Sequence, residues 1–209
     1  MVVVDTETPH GLARAHLRHS DEPMGALVLG HGAGGGVAAP DLVAVADAAI
    51  AAKVSVALVE QPYRVAGRRA PAPTKQLDAA WTAVVERLRV KELRGLPLVV
   101  GGRSLGARVA CRTAAATGAV GVLCLAFPLR PPRRAGAQVA PSRLPELEAV
   151  TVPTLVVQGE SDRFGMPPAA ALRTVVQVPG DHALKKDVDA VAVAAREWLV
   201  RVLGSARAS

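Results

Sequence analysis

The stretch Leu96–Ala110, LPLVVGGRSLGARVA, constrains this chain more than any other. An apolar run of strand character ends in Gly-x-Ser-x-Gly and passes without a linker into helix-forming residues. A serine in so sharp a strand-to-helix turn takes a strained backbone conformation, and Gly102 and Gly106 lack the side chains that would clash beside it. The Ser104 hydroxyl is thereby held out at the edge of a sheet. The first helical N–H groups, beginning with Leu105, point at the space beside it and favour negative charge there.

The same pattern also fits a serine that merely caps a helix, so its partners decide. Gly25–Leu29 reads as a buried strand running into Gly30-His31-Gly32-Ala33-Gly34-Gly35-Gly36, where a second oxyanion N–H is expected; Ala33 is the candidate donor and Gly34 the next choice. Thr154–Gln158 is another apolar strand, and Gly159-Glu160-Ser161-Asp162 puts a carboxylate just past its end. Asp162 is the candidate acid to orient a base, with Glu160 as the alternative. A helix is expected to begin near Met166, which would give Asp162 a capping role instead. After Val175–Val178, the loop Pro179-Gly180-Asp181-His182 carries the candidate base, His182. Asp181 reads as a turn residue, His31 as a brace for its glycine-rich loop, and His10, His16 and His19 as solvated. The chain order Ser104, Asp162, His182, each after a different strand, is that of α/β-hydrolases.

Taken together, His31-Gly32-Ala33-Gly34-Gly35, Gln61-Pro62-Tyr63, Gly101-Gly102-Arg103-Ser104-Leu105-Gly106, Phe127-Pro128, Gly159–Gly165 and Gly180–Lys185 resemble small bacterial α/β-hydrolases related to dienelactone hydrolases. More closely, they are similar to the branch whose eukaryotic relatives include a subunit of the non-specific-lethal histone acetyltransferase complex. The resemblance runs from about Gly25 to Leu203. It implies a Ser-His-Asp site with esterase-like chemistry. True dienelactone hydrolases have a cysteine nucleophile where this chain has Ser104, so their particular reaction is not implied. Some eukaryotic members of the branch are complex subunits, which makes a non-catalytic interaction module the competing expectation.

The rest of the sequence is consistent with this frame. Its 209 residues, half of them hydrophobic, suffice for one domain over residues 1–209 with its own core. Met1 to about Arg18 reads as an antiparallel edge hairpin, Asp41–Lys53 as a helix and Val54–Val59 as a strand. Thr74–Leu93 is a helix with Leu77, Trp81, Val84, Val85 and Leu88 at core spacing. Gly121–Phe127 is a further strand, and Asp187–Leu203 a closing helix. Continuous apolar strands separated by helices predict a mostly parallel sheet covered on both faces, with no separate cap domain. The expected mechanism is acyl transfer from a small ester or thioester to Ser104 and then to water, with Leu105 and Ala33 N–H groups as the oxyanion hole. No metal or organic cofactor is required, and no His or Cys cluster has zinc spacing.

Charge and loops set expectations about partners. The 25 basic residues exceed the 18 acidic ones, and position says more than the total. Arg64, Arg68 and Arg69 follow one strand, Arg103 flanks the serine, and Arg130, Arg133, Arg134 and Arg143 lie in the proline-rich loop after Pro128. If they converge, an anionic small-molecule substrate is favoured; Arg64, Arg103 and Arg130 are the candidate contacts. The loop Leu129–Glu146 is either a solvated connector or a cover over the site. Nucleic-acid binding is disfavoured by only five aromatic residues. The amino terminus lacks signal-peptide character and no apolar stretch would span a bilayer, so a cytoplasmic setting is expected, with Cys111 and Cys124 as ordinary core residues. Nothing specifies an oligomeric state.

Overall fold

A computed structural model describes residues 1–132, 138 and 140–208. Strands β1 (Val2–Thr8) and β2 (Gly11–Arg18) form the expected hairpin at one edge, and β2 lies antiparallel to β4 (Val54–Glu60). From β4 the sheet continues in parallel through β3 (Gly25–Gly30), β5 (Leu98–Arg103), β6 (Gly121–Leu125), β7 (Thr154–Gly159) and β8 (Arg173–Val178).

Each central strand is apolar on both sides because both faces of the sheet are covered. Along β5 the alternation is visible residue by residue. Leu98 and Val100 join a core with Leu77, Trp81, Val84 and Leu88 of helix α3 (Thr74–Val90) and Val109 and Cys111 of α4 (Leu105–Thr117). Val99 joins the opposite core with Leu42 and Val45 of α1 (Pro40–Ala51) and Trp198 and Leu203 of α6 (Val188–Ala208). Burying a side chain such as Leu29 or Leu88 contributes about 1.5–3 kcal/mol, so the two layers hold the sheet from both sides.

Two short helices were not anticipated, α2 (Pro62–Val65) and α5 (Leu144–Glu148), each with proline in its first turn. The helix expected near Met166 is absent: Pro167 and Pro168 interrupt the segment, and Ala170 makes an isolated bridge to Arg173. Ala170 and Arg173 exchange backbone hydrogen bonds at 3.0 Å where helical bonds would otherwise form.

Strand order reverses at β3: the chain proceeds outward from β3 to β4, then returns to place β5 on the other side. Ligand crevices in open parallel sheets lie beyond the carboxyl ends of strands at such a point. The His31 loop and the Ser104 turn leave β3 and β5 there, side by side.

Candidate active site

Ser104 has φ 53° and ψ −105°, a conformation disfavoured for any residue with a Cβ. Neighbouring backbone enforces it. A Cβ on Gly102 would stand 2.5 Å from the Gly30 carbonyl oxygen, and one on Gly106 would collide with the same atom. The two glycines therefore let α4 press against the end of β3. Arg108 N–H donates to the Ser104 carbonyl, closing the first turn of α4. The N–H of Leu105, at the start of that helix, has no acceptor one turn earlier within it.

Three of the expected side chains meet. His182 Nε2 is 2.9 Å from Ser104 Oγ, and His182 Nδ1 is 2.8 Å from Asp162 Oδ2. The exposed Glu160, the alternative acid, is not the carboxylate on the histidine. Asp162 has a side chain only 1% exposed, and it also accepts from Phe164 N–H at 2.9 Å and Gln158 Nε2 at 2.7 Å. Such a carboxylate is fixed in position, and it fixes the imidazole with Nδ1 protonated and Nε2 free to accept. Asp181 Oδ1 accepts from Ala183 N–H, the turn role expected of it.

Two contributors escaped the sequence reading. Gln158, buried at the end of β7, has its Nε2 within 3.1 Å of the carbonyl oxygens of Phe127 and Gly165 as well as beside Asp162. The signal was a polar residue inside the otherwise apolar run TLVVQ. Phe164 lies against the candidate base, its ring centroid 4.2 Å from that of His182. Its signal was an aromatic side chain two residues after the acid in a chain with few aromatics.

The oxyanion-loop side is braced as well. His31 is buried; its Nδ1 donates to Gly32 O at 2.8 Å, and its Nε2 accepts from Gln61 N–H at 3.2 Å. Burial pushes this imidazole below its ordinary pKa, with the charge of Arg64 acting in the same direction. The Tyr63 hydroxyl donates to the Ala33 carbonyl at 3.1 Å and its ring meets His31 edge-on, so α2 supports the loop carrying Ala33.

The arginines do not converge. Arg103 is committed to protein partners: Nε is 2.9 Å from Asp41 Oδ2, and Nη2 donates to the His182 carbonyl at 2.9 Å. It is thus not the free substrate contact that its place beside Ser104 suggested. Arg64 lies in α2 on the β4 side of the serine, whereas the exposed Arg130, whose N–H donates to Phe164 O, lies on the β6 side. Arg68 and Arg69 are exposed; Arg133 and Arg134 lie outside the described residues. Arg143 donates to Pro128 O, and burial together with the charge of Arg108 depresses its pKa. In the Leu129–Glu146 loop, α5 is fastened to α4 by Glu146, which pairs with Arg108 and Arg112.

The profile of the alpha/beta hydrolase domain matches residues 23–191, most of the chain. The chain belongs to the alpha/beta hydrolase family. No curated protein matches it. Solved structures with the same fold include XC6422 from Xanthomonas campestris, described as an α/β serine hydrolase without a lid. It has 18% identity and a TM-score of 0.74, covering 96% of this chain and 94% of that one. Est1E from Butyrivibrio proteoclasticus has 14% identity and a TM-score of 0.77, covering 97% and 99%. A dienelactone hydrolase from Anabaena variabilis has 17% identity and a TM-score of 0.76, covering 96% of each chain. At these identities the likeness concerns the fold. Among the described residues of this alpha/beta hydrolase, no helix is long and apolar enough to cross a membrane.

Proposed function

We propose that this alpha/beta hydrolase is a serine hydrolase that cleaves a small carboxylic ester or thioester through an acyl-enzyme on Ser104. The observation that carries the proposal is the continuous hydrogen-bond chain from Ser104 Oγ through His182 to Asp162, at 2.9 and 2.8 Å. His182 Nε2 takes the hydroxyl proton as Oγ attacks the acyl carbonyl. Asp162 stabilises the imidazolium, and the N–H groups of Leu105 and Ala33 receive the oxyanion. The intermediate collapses by breaking the bond to the alcohol or thiol, which leaves with the proton from His182. Water then gives its proton to His182 and attacks the acyl carbon, releasing the acid and restoring Ser104.

Arg64 and Arg130 lie on separate sides of the serine rather than converging on it, so the proposal carries no preference for an anionic substrate. Cys111 and Cys124, buried free thiols that share a hydrogen bond at 3.5 Å, fit a reducing, cytoplasmic setting. The motif resemblance supports placement near the non-specific-lethal-complex branch, but the assembled Ser-His-Asp chain favours catalysis over a purely interacting module.

The test is labelling with a fluorophosphonate, compared between the wild type and Ser104→Ala and read by mass spectrometry. Rapid modification confined to Ser104 is expected, and the unlabelled protein is expected to hydrolyse short p-nitrophenyl esters in a separate assay. A folded wild type that does not label would overturn the hydrolase reading in favour of the interaction module.

A further inference from the structure

Asp41 poses a problem that the triad does not solve. It stands in the first turn of α1 with no exposed surface, and burial raises its carboxyl pKa against the opposing pull of Arg103 and nearby backbone N–H groups. A buried carboxylate is costly even when paired, and an apolar pair of similar volume commonly serves stability as well or better. The geometry of its partner suggests another use. The Arg103 guanidinium is planar and presents its donors in a fixed fork.

Its Nε lies 2.9 Å from Asp41 Oδ2. Nη2 donates to the carbonyl of His182, the backbone of the base itself. Nη1 lies against the oxyanion loop, so close that a Cβ on Gly32 would be 3.0 Å from it. Arg103 is also the residue immediately before Ser104. A single side chain therefore joins the nucleophile's turn, the base's loop and the oxyanion loop, with the buried Asp41 carboxylate as its ion-pair partner. The loop of His182 is held at Gly180 as well, whose carbonyl accepts from Ser161 N–H and Oγ.

We infer that Arg103, paired with Asp41, is a positioning residue that sets the base and the oxyanion loop relative to Ser104. This rests on the hydrolase reading above, and adds that the arginine of Gly-Gly-Arg-Ser serves the protein's own loops rather than substrate.

Two variants and two readouts test it. Arg103→Lys keeps a cation for Asp41 but removes the fork. Asp41→Leu combined with Arg103→Met removes both charges together, so that neither is left buried alone. The expected result is a folded protein in each case, with the maximal rate of fluorophosphonate labelling reduced on the order of 10- to 100-fold and the probe concentration at half-maximal rate unchanged. A wild-type labelling rate in the folded double variant would show that the pair serves stability alone and would overturn the inference; so would a wild-type rate in Arg103→Lys.

The second readout is independent of hydrolysis. The His182 Nδ1 proton, held by Asp162, is expected to give a downfield proton NMR signal that broadens or moves upfield in both variants. An unchanged signal rejects the positioning role. If the wild type fails to label, the hydrolase reading falls, yet this NMR comparison still decides whether Arg103 positions the base.

Discussion

Ser104 carries its strain for the sake of its place. Backbone at φ 53° and ψ −105° costs a residue with a Cβ on the order of 1–3 kcal/mol, whereas glycine takes positive φ readily and loses about 0.5–1 kcal/mol in entropy. Ser104→Gly should therefore abolish fluorophosphonate labelling while matching or raising the melting temperature, as read by differential scanning calorimetry. A lower melting temperature would mean that the hydroxyl contributes more to stability than the strain removes. His31 supplies a second test, in pH. Its folded-state pKa lies below the ordinary 6.5, so on acidification the unfolded chain takes up a proton at this site before the folded chain does. The associated stability is complete above pH 6.5 and is lost as pH falls from there toward the folded value. The melting temperature should drop over that acid window, and His31→Asn should flatten the slope.

At the scale of elements, the sheet end is built by backbone contact and α5 is fastened by charge. Gly102→Ala drives a methyl group into the Gly30 carbonyl and the backbone of Gly106, and overpacking of this kind typically costs about 1–3 kcal/mol. Gly34→Ala, where a Cβ meets nothing within 4 Å, should leave the urea midpoint nearly unchanged. Equal losses at the two positions would refute the close-contact account. Helix α5 depends on Glu146, paired with Arg108 and Arg112 through side chains only 16–18% exposed. Glu146→Gln should cost about 1–3 kcal/mol in urea denaturation and render α5 more open to proteolysis. These elements differ in how far the sequence announced them. Helix α3 was legible because Leu77, Trp81, Val84 and Leu88 repeat at helical spacing; α2 and α5 are too short for any period to show. The expected helix at Met166 gave way to proline geometry.

Across the whole molecule, a mostly parallel sheet covered on both faces followed from the alternation of apolar runs with helices, and the three triad candidates from their positions just past strand ends; the order of the strands did not. What pairwise spacing could not reveal was the direction of side chains that reach across loops. Arg103 looked free because Asp41 stands far away in sequence, and Gln158 passed as an ordinary member of the strand because its carbonyl acceptors come from the ends of other segments. The two cysteines turn the completed fold into a clock. Cys111 rides on the helix that begins at the nucleophile, Cys124 lies in β6 beneath it, and both are shielded from reagent. A thiol-reactive dye should consume them only as fast as that helix lifts from the sheet, and loss of the proposed fluorophosphonate labelling under denaturant should keep the same time.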